Sequence, residues 1–165
     1  MSTNRVSRVQ LLLVMLLLVA LQFYVRPRLW DARISPDFLL IALMLFAMRS
    51  RPGLAALAGF AVGLIADTLT PARFGAGALA HTLVAYLASW GRAVFFADNM
   101  LVNAGFVAAG LWLRDLIVLV TSGTDHRQII TELTIYSPLQ ALTTAGLALI
   151  VLIMFRSIFS VRLDA

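Results

Sequence analysis

The chain has 165 residues, 61% of them hydrophobic and 13% charged, with no cysteine and a net charge of +5 in which every basic residue is an arginine. A soluble domain is about half apolar and about a quarter charged, and a globule of this size still leaves roughly 30% of its unfolded surface in water, so this composition requires lipid as the solvent. The missing cysteines exclude disulfides, thiolate metal sites and thiol catalysis, and arginines scattered over short breaks make no groove-sized patch for nucleic acid.

The apolar residues come in long runs separated by arginine-bearing breaks, which is the pattern of a helical membrane protein and not the weak alternation of a barrel. The fold class that follows is all-α: a polytopic integral membrane bundle of about six transmembrane helices in a single domain, residues 1–165, with spans near 9–25, 37–48, 54–70, 76–95, 100–121 and 138–155. The first run follows Arg5 and Arg8, is long for a signal-peptide core and has no small-x-small cleavage site, so it reads as a retained span ended by Pro27. Pro36-Asp37 opens the second helix, with proline in the first turn and the aspartate complementing the positive helix end.

Arg49, Arg51, Pro52 and Gly53 form a turn before the third span, which Pro71 stops. The fourth carries Trp90 and Arg92 at headgroup positions, and Asp98-Asn99 offers a cap for the fifth. Residues 129–136 carry Glu132 ahead of Pro138 and read as an interfacial helix leading into the sixth span. Six spans put both termini on one side. Seven arginines (5, 8, 49, 51, 92, 156 and 162) then share that side against five (26, 28, 33, 73 and 127) opposite, a bias that makes the termini cytoplasmic.

Away from the span ends, four ionisable residues read as buried within these spans: Asp67, His81, Arg114 and Asp115. Counted from each helix midpoint at about 1.5 Å per residue, they share one leaflet, all within about 7 Å of the middle of their spans. Adjacent helical residues point about 100° apart, so Arg114 and Asp115 cannot fully satisfy one another. The expectation is that Arg114 pairs with Asp67 while Asp115 accepts from His81 or Thr82, lowering the cost of each charge in lipid. A structural network, hydration near the interface and a ligand or proton site all remain open for these residues.

Gly59 and Gly63 lie four apart on one face of the third span, and Gly105 with Ala109 repeats the spacing in the fifth. Small residues at this interval let a second backbone approach closely, without saying whether the neighbour is internal or a partner's helix. Catalytic signals are lacking: the two histidines, His81 and His126, are far apart, no G-x-S-x-G or phosphate-binding loop occurs, and no metal or cofactor is expected.

The order of features carries a resemblance. Ser35-Pro36-Asp37-Phe38-Leu39-Leu40, Arg51-Pro52-Gly53, Gly59-Phe60-x-x-Gly63-Leu64-x-x-Asp67, Phe74-Gly75 and Thr82-Leu83-Val84-Ala85-Tyr86-Leu87 together resemble the rod shape-determining MreD family over the second to fourth helices, about a third of the chain. Ala72-Arg73 and Ala85 depart from the residues usual in that family. The resemblance implies a noncatalytic protein of the bacterial inner membrane, without cofactor, that binds MreC and helps organise lateral peptidoglycan synthesis alongside MreB, RodA and its partner transpeptidase. It also implies a fold similar to the vitamin-capturing subunits of energy-coupling-factor transporters, which keeps a small-solute transporter subunit as the rival function. On the scaffold reading, the face of Gly59 and Gly63 with the following loop, Phe74, Gly75 and Gly77, docks MreC.

Overall fold

The computed structural model describes residues 3–29, 31, 33–68, 74–91 and 100–154, which are helical or turn, with no strand among them. The order is α1 (Thr3–Tyr24), a single 3-10 turn (Arg26–Arg28), α2 (Phe38–Ala47), α3 (Pro52–Thr68), α4 (Ala76–Gly91), α5 (Met100–Thr121), α6 (His126–Thr131), a π turn (Glu132–Tyr136) and α7 (Ser137–Met154). Leu101–Thr121 and His126–Met154 are long and apolar enough to cross a membrane. Pro71, Arg73, Arg92 and the Asp98-Asn99 cap lie outside the described residues, as does the stretch 92–95 assigned to the fourth span.

α2 is the centre of the molecule. Its ten residues, FLLIALMLFA, are apolar on every side, and all except Phe46 are buried. A helix without a polar face has to be enclosed. Around it stand Val14 and Leu18 of α1, Ala55 of α3, Val84 and Ala88 of α4, Val107 and Leu111 of α5, and Ala148, Val151 and Leu152 of α7. Each outer helix turns another face outward, as Leu57 and Phe60 do on α3 and Leu101 and Val120 on α5.

Several boundaries differ from the sequence reading for local reasons. Asp37 is the residue that caps α2: its backbone is extended and its Oδ1 accepts the N–H of Leu40 at 2.9 Å, leaving Pro36 outside the helix. Pro52 belongs to the first turn of α3 instead of the preceding turn, and the carbonyl of Arg51 accepts from Ala55 at 2.9 Å. Residues 129–136 run without a break into the following helix, because α6, the π turn and α7 form one continuous helix, His126–Met154.

Candidate functional site

The ends of α1, α3 and α5 and the starts of α2, α4 and α7 gather at one end of the bundle, and most of the buried polar side chains sit there, while Ser89 donates to the carbonyl of Ser50 at the other end. Asp67, on the last turn of α3, accepts three backbone N–H groups: Gly75 at 2.9 Å and Ala78 at 2.9 Å on Oδ2, and Gly77 at 3.0 Å on Oδ1. These belong to the turn before α4 and to its first residues, so the carboxylate caps the next helix from across the loop. Free N–H groups and the positive helix end both favour an anion there. Asp67 is 3% exposed, and the cap is what makes that burial affordable. Gly75 contributes through its backbone, at φ +94°, a conformation few L-residues adopt.

The expected pairing of Asp67 with Arg114 is therefore wrong. Arg114 reaches the opposite side of the cluster, with Nη1 3.0 Å from Oδ2 of Asp37 and Nε 3.0 Å from Oδ1 of Asp115. The second contact is an ion pair off the line of a hydrogen bond, as expected for neighbours on one helix that point apart. Asp115 accepts from Ser137 Oγ at 2.7 Å, not from His81 or Thr82. Thr82 donates instead to the carbonyl of Ala78 at 2.6 Å, and His81 Nδ1 lies 2.7 Å from the carbonyl of Gly77. His81 is within electrostatic reach of Arg114, Asp37 and Asp67, so the four predicted residues do share one end of the bundle, in two adjoining groups.

Asp37 joins these groups to the connector between α1 and α2. Arg26 Nη1 lies 3.9 Å from its Oδ2, and its N–H donates to Thr144 Oγ1 at 3.1 Å. Gln140 Nε2 donates to the carbonyl of Ser35 at 3.0 Å and Thr143 Oγ1 to that of Ile34 at 2.7 Å. The polar residues of α7 thus satisfy a non-helical strand of backbone that enters the bundle ahead of α2. In lipid such backbone is tolerated only when protein encloses it.

Sequence reasoning missed Asp37, Ser137, Gln140 and Thr144 as members of this site. Asp37 was placed at a helix start, where a cap explains it fully. The other signal was available: Gln140, Thr143 and Thr144 are polar residues inside an apolar span, three to four apart on one face.

The glycine face is also internal. A Cβ on Gly59 would strike the carbonyl of His81 and the side chain of Ala85, and one on Gly63 would strike the backbone of Gly77 and Ala78. A Cβ on Gly77 would meet the carboxylate of Asp67. Gly59, Gly63 and Gly77 are accordingly covered by the α3–α4 contact and offer no face to a partner. Phe74, 64% exposed, and Gly75 remain at the surface, and Gly105 of α5 faces open space.

The described residues are helical, two of their helices are of membrane-crossing length, and Asp37, Asp67, Arg114 and Asp115 are paired or capped within the chain at one end of the bundle, which fits a helical membrane protein. The chain belongs to the MreD family: the model of rod shape-determining protein MreD matches residues 3–160. Its family places it in rod-shape determination. No curated protein and no solved structure matches it.

Proposed function

We propose that this protein is a noncatalytic six-span scaffold of the bacterial inner membrane, termini cytoplasmic, that binds MreC and helps organise lateral peptidoglycan synthesis with MreB, RodA and its transpeptidase partner. Its architecture on this reading is that of the vitamin-capturing transporter subunits. The observation that carries the scaffold over the transporter is the use made of buried charge. A solute-binding subunit would turn these groups toward its ligand, whereas Asp67 takes three N–H donors from its own chain and Arg114 lies between Asp37 and Asp115. Directional pairs of this kind fix helix rotation where apolar packing in lipid has little directionality. A rigid bundle presents a constant surface.

With Gly59, Gly63 and Gly77 occupied internally, the MreC contact on this reading falls to the exposed turn at Phe74 and Gly75. Co-purification of MreC with the full chain from detergent tests it. Phe74→Ala is expected to lower MreC recovery while Leu57→Ala, on the outward face of α3, leaves it unchanged. Equal recovery with both variants would remove the turn from the interface.

A further inference from the structure

The rod His126–Met154 contains one proline, Pro138, whose ring in a regular α-helix would press on the carbonyl four residues earlier, that of Thr134. The helix answers by widening into the π turn at Glu132–Tyr136, where the N–H of Ser137 bonds the carbonyl of Glu132, five residues back. This spacing leaves the Leu133 carbonyl without a helical donor, because residue 138 has no N–H. Trp112 of α5 supplies one, its Nε1 lying 3.2 Å from Leu133 O. From the other side Arg33 of the connector lies over the ring of Tyr136, 4.9 Å from its centroid, and 3.9 Å from Glu132.

The extra residue in the turn changes which face each half of the rod presents. From Ser137 onward the buried positions are Ser137, Gln140, Ala141, Thr144, Ala148, Val151 and Leu152, a regular α repeat. Extended backward with the same repeat, it would bring Ile130, Leu133 and Thr134 against α5. Leu133 is half-buried as that repeat requires, but Ile130 is 62% exposed and Thr134 exposed, while Ile129, off the repeat, is half-buried. The segment ahead of Pro138 is thus rotated by about one residue, about 100°, relative to an unbroken α-helix.

We propose that the turn before Pro138 is a two-position rotational joint, latched in its π form by the Trp112 indole and the Arg33 side chain, whose α form turns the segment His126–Tyr136 to bring Ile130 toward α5 and move Ile129 away. The two forms differ by the repositioning of one residue, and each is a discrete helical geometry, as a bistable element requires. The connector that supplies Arg33 also carries Asp37, so the joint is tied to the buried ion pairs through one short stretch of chain.

The chain lacks cysteine, so single cysteines report the rotation without further substitution. Ile129→Cys and Ile130→Cys are made in the full-length protein in lipid nanodiscs, and maleimide labelling rates are compared at both positions. Position 130 is expected to label several-fold faster than 129 in the otherwise unchanged chain. With Pro138→Ala, which restores the N–H, or with Trp112→Phe, which keeps a ring and removes the donor, that ratio is expected to fall toward one or invert. Deleting Thr134 in the Pro138→Ala background removes the extra residue, and a plain α-helix then recovers the original ratio. An unchanged ratio in either single variant overturns the proposal. Failure of the deletion to restore the ratio overturns it too, since the loss would then reflect general disruption.

Discussion

Arg114, two-thirds of the way along α5, meets Asp37, the residue that caps α2, at 3.0 Å, although 77 positions separate them in the chain. The contact ties the enclosed central helix to an outer one; Asp37 is buried, and the Arg114 side chain is 13% exposed. Removing one member of a buried pair strands the other charge, at a cost of about 3–5 kcal/mol. Arg114→Gln and Asp37→Asn are each expected to destabilise the protein strongly in detergent unfolding, and their combination to cost clearly less than the sum. Asp67→Asn combined with Arg114→Gln should instead be close to additive, since Asp67 bonds elsewhere. Additivity in the first pair would show that the 3.0 Å contact carries no energy.

Asp67 and Gly77 make a second test. The glycine exists because a methyl group there would collide with the carboxylate that caps α4. Asp67→Ala leaves three N–H groups without their acceptor and is expected to cost about 2–4 kcal/mol, given about 1–3 kcal/mol for each buried group left unsatisfied and partial rescue by water. Gly77→Ala should be damaging alone and nearly harmless when Asp67 is already alanine. Thermal midpoints of the four proteins decide this, and a Gly77→Ala penalty that persists in the Asp67→Ala background rejects the explanation.

The two small-residue pairs should behave differently. Gly63→Ala pushes a methyl into the backbone of Gly77 and Ala78, so folded yield is expected to fall by a large factor. Gly105→Ala meets open space, and alanine is the better helix former by about 1 kcal/mol. Gly105→Ala should therefore leave the isolated protein unchanged or slightly stabilised. Comparable losses from both would mean that α5 packs against something in the purified protein.

Thr144→Val keeps shape and removes the hydroxyl that accepts the N–H of Asp37. Gln140→Leu likewise frees the Ser35 carbonyl. Each is expected to cost about 1–3 kcal/mol. Hydrogen exchange should localise the damage: the amides of residues 35–40 gain faster exchange while those of α3 do not. Uniform acceleration throughout the bundle would place the effect on global stability and not on the connector.

The amino-acid sequence by itself determined the helical class, the order and approximate ends of the helices, and that Asp67, His81, Arg114 and Asp115 would need partners. Those follow from composition, run length and the cost of charge in lipid, which are local properties of the chain. It also identified Gly59 and Gly63 as a close-approach face, because four-residue spacing makes a stripe on any helix. Only the tertiary structure decided who meets whom. Asp67 faces a backbone loop and not an arginine, Asp37 is the real partner of Arg114, and the glycine stripe is filled by α4. The physical reason is rotational: helix phase about its own axis is set by packing against neighbours, and a residue's depth in a span says nothing about the direction its side chain takes. The π turn at Pro138 makes the same point within a single helix, where one inserted residue redirects everything before it.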